Sequence, residues 1–149
     1  MKNTWSKVDD YFGDLLAPAD DALKAALHAN DTAKLPAIGV SRLQGKFLHL
    51  LVKITQAKKV LEIGTLGGYS TIWMARALPW NGSLVTLEAD PHHAATARGN
   101  LVRAGLDNRV SLRLGRALVP CLRECVMEFP ARLFASEIPL NGGAVAVET

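Results

Sequence analysis

Apolar residues recur at helical spacing in the amino-terminal part of the chain and in short strand-like runs after it. Val8, Phe12, Leu15 and Leu16 form one helical stripe, and after Pro18 the set Ala22, Leu23, Ala26 and Leu27 forms a second. A polar stretch from Asn30 to Pro36 precedes a third apolar face, Leu43, Phe47, Leu50, Leu51 and Ile54, with Ser41 placed to cap its start. From Lys59 the pattern changes. The run VLEI predicts a buried strand that passes through a glycine turn into a helix ending near Ala77, and a turn from Pro79 to Gly82 leads to a second strand, SLVTLEAD. Asp90 can cap the following helix with Pro91 at its first position, Gly105 closes it, and VSLRL alternates as a third strand. Strand and helix therefore alternate, so the expected fold is α/β: a Rossmann-like parallel sheet with helices on both faces, preceded by amino-terminal helices. The expected division is a single domain over 1–149, with helices over 1–57, a βαβαβ core over 58–118 and an atypical tail over 119–149.

Composition narrows the class. The 149 residues are 49% hydrophobic and 21% charged, which excludes a disordered or fibrous chain, and no apolar run is long enough to span a bilayer. The start, MKNTWSKVDDYFGDLL, mixes acidic, basic and apolar residues where a secretion signal needs an unbroken apolar stretch, so a cytoplasmic address is expected. The formal charge of +3 is small and the basic residues are interspersed with acids, which gives nucleic-acid binding little support. Cys121 and Cys125 lack the spacing of a redox or zinc motif and read as free thiols.

The chemistry concentrates in VLEIGTLGGYS, residues 60–70. Glycines at Gly64, Gly67 and Gly68 remove side chains where the first strand ends, so that backbone amides and a helix N-terminus can approach a ligand. Three cofactor classes use such a turn. The NTPase phosphate loop needs a Lys followed by Ser or Thr, whereas no Lys follows Lys59. The dinucleotide fingerprint spells G-x-G-x-x-G, and this turn spells G-x-x-G-G. Glu88, at the end of the second strand, can accept hydrogen bonds from both hydroxyls of a ribose and would repel a 2′-phosphate. NAD and S-adenosylmethionine remain, and the neutral turn favours the second, which carries no phosphate.

The segments PAIGVSRLQGKFLHLLV, VLEIGTLGGYSTIWMARALP, GSLVTLEADPHHAATARGNLVRAGL and RVSLRLGRAL together resemble the cation-dependent small-molecule O-methyltransferases of the caffeoyl-CoA and catechol type, over about Pro36 to Leu118. The resemblance implies that Val40 sits beside the methionine end of S-adenosylmethionine, that Glu62 meets its amino group and Ser70 its carboxylate, and that Gly64, Leu66 and Gly68 form the turn. It further implies that Glu88 holds the ribose and that the backbone at Arg116 and Ala117 borders the adenine. A divalent cation, magnesium, a small-molecule methyl acceptor and a homodimer are the family's other expected partners.

Beyond Leu118 the resemblance stops. The family continues to a strand like FDLIFIDADK, whose Asp binds the metal and whose Lys can assist deprotonation. Here no Asp follows Asp107 and no His follows His93. ARLFASE, with Glu137, and LNGGAVAVET, with Glu148 and Thr149, are weak counterparts of the metal-binding strands. A truncated or frame-shifted tail is the expectation, over a natural enzyme with a degraded or rebuilt acceptor half; it leaves an incomplete methyltransferase fold in which the first strand needs an edge partner: a tail strand around Ala144 to Val147 or Leu133 to Ala135, or a second chain. The functional expectation is an S-adenosylmethionine-dependent O-methyltransferase of catechol-like molecules. Its alternatives are a catalytically incompetent cofactor-binding or dimerising fragment and, behind both, an NAD-linked oxidoreductase. His92 and His93 read as surface histidines, His49 as a core-edge residue, and Trp73 and Met74 as core.

Overall fold

The computed structural model describes residues 4–115 and the backbone of a strand at 144–148. Helices α1 (Thr4–Leu16), α2 (Asp21–Thr32) and α3 (Arg42–Ile54) precede the sheet. They are followed by β1 (Lys59–Ile63), α4 (Tyr69–Ala77), β2 (Ser83–Glu88), α5 (Pro91–Arg103), β3 (Val110–Leu114) and β4 (Ala144–Glu148). The helix starts follow their capping chemistry. Asp20 accepts from the Leu23 amide, Ser41 and Gln44 form a reciprocal capping box, and Asp90 accepts from the His92 and His93 amides with Pro91 in the first turn. The architecture is α/β and Rossmann-like: β1, β2 and β3 run parallel in the order β3-β2-β1, with Glu62 opposite Thr86 and Glu88 opposite Leu114. No described helix is long and apolar enough to cross a membrane.

A single apolar cluster joins Val60 and Leu84 of the sheet to Ile72, Met74 and Ala75 of α4 and Leu101 of α5. Trp73 and Met74 are core, as expected. Helix α3 packs on α4 through Gly45, where a Cβ would collide with the Trp73 ring, and through His49, whose Nδ1 lies 3.0 Å from the Trp73 carbonyl. His49 is thus a core-edge residue, and burial holds its imidazole below the usual value despite that hydrogen bond.

The helix faces differ from the apolar stripes. In α3 the buried side chain is Val52, while Phe47, Leu50 and Ile54 are exposed, because the approach to α4 runs through the glycine and not through the bulkiest residues. In α1 the stripe Val8, Phe12, Leu15 and Leu16 is also exposed. That helix is fastened by Arg42, which donates to the Asp10 carbonyl at 3.2 Å, pairs with Asp14 at 2.8 Å and lies over Gly13.

The free edge of β1 is covered by β4, the tail strand expected at Ala144 to Val147. It pairs antiparallel, Ile63 opposite Ala144 and Lys59 opposite Glu148, as edge strands on parallel sheets often do. The weak match of LNGGAVAVET to a metal-binding strand is therefore corrected. The antiparallel sense carries Glu148 to the far end of β1, about 16 Å of strand from Gly64. Cys121, Cys125, Leu133–Ala135, Glu137 and Thr149 lie outside the described residues.

Candidate cofactor site at the turn after the first strand

Five residues, Gly64 to Gly68, connect β1 to α4 at the carboxyl end of the parallel strands, the edge where open α/β sheets place ligands. Gly64 has φ 90° and nothing within 4 Å of the point a Cβ would occupy, so glycine serves both the backbone and an open approach. Gly68 takes φ 78° as the N-cap of α4, and no side chain caps the first amides of that helix. Leu66 adopts φ 50° between them, and its Cδ2 is 3.6 Å from the Cβ point of Gly39. That contact sets the segment before α3, with half-buried Val40, beside the turn. Gly67 has a different reason from the expected ligand approach. A Cβ there would overlap Asn30, which accepts from Asn100 Nδ2 at 3.1 Å, and the same Nδ2 donates to the Gly67 carbonyl at 2.8 Å.

Two carboxylates flank this turn. Glu88 accepts four backbone amides: Thr65 at 3.1 Å and Leu66 at 2.7 Å on Oε2, Ala89 at 2.9 Å and Asp90 at 3.0 Å on Oε1. The residue expected to receive ribose hydroxyls is thus occupied as an anchor of the turn. His93, half-buried and not a surface residue, stands 3.7 Å from Glu88 Oε1, carried there by the first turn of α5. His92 is exposed and hydrogen-bonds the Ala33 carbonyl.

Glu62 is 2% exposed. Its Oε1 accepts from Ser70 at 2.6 Å, and its Oε2 accepts from Thr71 at 2.5 Å and Thr86 at 2.7 Å. Thr65 hydrogen-bonds the Thr86 hydroxyl at 2.6 Å behind that pair. Burial raises the Glu62 carboxyl above its ordinary value, the three hydroxyls oppose that shift, and the Glu88 charge adds to it. Among the described residues no basic side chain pairs with it.

Residues 17–134 match the O-methyltransferase family. The chain belongs to that family. It is 58% identical over 114 residues to a catechol O-methyltransferase of Niastella koreensis, covering 76% of this chain and 52% of that protein. It is 55% identical over 111 residues to the catechol O-methyltransferase of Mycobacterium tuberculosis, covering 74% and 50%. Among solved structures, the Bacillus cereus O-methyltransferase in complex with SAH superposes with a TM-score of 0.80 at 50% identity, over 88% of this chain and 59% of that one. The Streptomyces achromogenes O-methyltransferase of tomaymycin synthesis, in complex with SAM, gives 0.73 at 47%, over 79% and 54%. The chain spans about half the length of the curated relatives it matches.

Within this O-methyltransferase fold the structure gathers Glu62, Gly64, Leu66, Gly68, Ser70 and Glu88 around one turn, with Val40 alongside. Ala117 and Arg116 lie outside the described residues, although Gly115 just before them donates to the Glu88 carbonyl at 2.7 Å. Among the described residues no group of three or more His, Cys, Asp or Glu side chains could hold a metal ion, so the donor set there does not fit the divalent cation associated with the resemblance. A groove of about 520 Å³ between α1 and α3, lined by Trp5, Val8, Leu43 and Phe47 among others, shares Ser41 with the segment beside Val40 but includes no residue of the turn. Sequence reasoning missed Thr65, Thr71, Thr86, Asn30 and Asn100. The available signal was Glu62 itself: an acid within a buried strand requires donors, and Thr86 is its register partner.

Proposed function

We propose that this chain holds S-adenosylmethionine at the β1 to α4 turn as part of an O-methyltransferase acting on small hydroxylated, catechol-like molecules. The observation that carries this reading is the buried Glu62 carboxylate, surrounded by hydroxyls and lacking a cation among the described residues, on the strand that runs into the open backbone of Gly64. An α-ammonium supplies the missing charge, and the uncapped first turn of α4 with Ser70 suits the neighbouring carboxylate. The turn spells G-x-x-G-G and not the G-x-G-x-x-G with which a dinucleotide site brings backbone up to a pyrophosphate, which supports this cofactor over NAD. By motif position Val40 borders the methionine end, Glu88 the ribose, and Arg116 and Ala117 the adenine. When bound, the cofactor supplies an electrophilic methyl group, and the chain's part is to hold it in line with an acceptor oxygen away from water. Titration calorimetry with SAM, SAH and NAD tests the reading. Saturable binding of SAM and SAH but not NAD is expected, and folded protein that binds NAD alone, or none of the three, overturns it.

The single-domain organisation over 1–149, a cytoplasmic setting and a homodimer belong to the same proposal. The outward Trp5, Phe12, Phe47 and Leu50 of α1 and α3 support self-association, which sedimentation over a concentration series checks. The alternative, a cofactor-binding fragment without turnover, is favoured by the lack of a metal-binding cluster among the described residues. Methyl transfer to a catechol with added magnesium separates the two.

A further inference from the structure

We propose that Thr71 and Thr86, backed by Thr65, are positioning residues that saturate one oxygen of Glu62 and so leave the other as the receptor for the ammonium of the bound cofactor. This rests on the cofactor reading above.

The geometry gives the two oxygens unequal roles. Oε2 receives Thr71 from α4 and Thr86 from β2, two donors on elements fixed by the core, and both lone-pair directions are then filled. Because the Thr86 hydrogen points to Glu62, Thr65 is the donor in the 2.6 Å contact behind it. Among the described residues Oε1 receives a single hydroxyl, that of Ser70, which is half-buried at the start of α4. One hydrogen serves Ser70, so it cannot bind Glu62 and a ligand carboxylate at once. Ser70 thus holds the place of the ammonium and is released to the carboxylate when the ligand arrives. The threonines do not move, which fixes where the ammonium sits.

Proton linkage provides a signature. Among the described residues the charge acting on Glu62 is that of Glu88 on β2; His93 of α5 faces Glu88, and Arg76 of α4 is paired with Asp20 at 2.8 Å. Burial raises the Glu62 carboxyl above its ordinary value in the absence of ligand, whereas an ammonium needs the ionised form. Affinity should therefore climb with pH until Glu62 is ionised in the free protein, and removing a threonine donor should move that climb to higher pH.

The test uses SAH and 5′-methylthioadenosine, the same nucleoside thioether without the amino-acid arm. Thr71→Val and Thr86→Val are each expected to weaken SAH about tenfold, the effect of one hydrogen bond to a charged group. They should leave methylthioadenosine within about twofold and displace the pH climb for SAH alone, while Thr86→Ser restores the wild-type profile. Variants that weaken both compounds equally, or neither, overturn the inference while the cofactor reading stands. Wild-type protein that binds neither compound overturns both. If Thr86→Val does not fold, Thr71→Val decides the same question.

Discussion

Glu62 and Glu88 stand on adjacent parallel strands at one end of the sheet, and the fold treats them in opposite ways. Glu88 gives both oxygens to backbone amides, two from the turn and two from the start of the next connection. Glu62 meets side-chain hydroxyls. An amide donor is fixed by the chain path, so its acceptor becomes part of the path. A hydroxyl can rotate, and can accept as readily as donate. Glu88 therefore belongs to the shape of the turn, and Glu62 is free to exchange a partner or a proton. A ribose reaching Glu88 has to share or displace an amide, whereas an ammonium reaching Glu62 displaces one hydroxyl.

Removing Glu88 should break the comparison most visibly. Glu88→Ala leaves four amides, the buried one of Thr65 among them, without an acceptor. Each such loss costs about 1–3 kcal/mol before water and relaxation recover part of it. A net loss of about 3 kcal/mol in urea unfolding is expected. A variant within about 0.5 kcal/mol of wild type, as for an ordinary surface substitution, would mean that Glu88 is reserved for the ligand and holds nothing.

Glu62→Gln should do the reverse. It keeps the volume and removes the charge, so SAH affinity is expected to fall about 30- to 100-fold, the scale of a charge-assisted contact. Stability in the absence of ligand should be maintained or raised. The sign follows from linkage. Burial lifts the Glu62 carboxyl, so the folded chain holds a proton that the unfolded chain has already lost above its ordinary value near 4.5. The contribution of Glu62 to stability is then greatest at low pH and declines as pH rises from that value through the folded one. The wild-type minus Glu62→Gln difference should show this decline without ligand and lose it with saturating SAH. A flat difference in both states would place Glu62 with Glu88 as a permanently ionised group.

Much of this arrangement was legible because it is local. VLEI, SLVTLE and VSLRL are apolar runs bounded by glycine, proline and capping aspartate, and Ser41 with Gln44 writes its cap directly into the chain. The residues at the turn were found by spacing, but their partners were not. Thr71 and Thr86 are as ordinary in a helix or strand as they are useful beneath a carboxylate; the register of β1 on β2 brings Thr86 to Glu62, and the seating of α4 after the turn brings Thr71. The four amides on Glu88 were likewise not legible, because a carboxylate that anchors a turn and one that only awaits a ribose carry the same letter. The sense of β4 was hidden for a simpler reason: AVAV alternates identically in either direction. In α3 the bulkiest apolar residues drew attention, although Gly45 is where the next helix comes close.

The smallest expected effect tests whether the turn is held from behind independently of both acids. Gly67 does not carry the positive φ found at Gly64 and Gly68, so alanine is tolerated by its backbone, and the cost of Gly67→Ala lies in what the new methyl displaces. That is the Asn30 side chain, whose hydrogen bond with Asn100 is worth about 1 kcal/mol. Asn30→Ala removes the same bond by another route. Each single variant should therefore lose about 1 kcal/mol in urea unfolding, and the double variant little more than either, giving a coupling near 1 kcal/mol in the cycle. SAH affinity should change by less than about threefold, because the Asn100 bond to the Gly67 carbonyl survives in all of them. Additive losses would deny that Asn30 is what Gly67 makes room for. A loss confined to affinity would move Gly67 to the ligand side of the turn, where the glycine spacing first placed it.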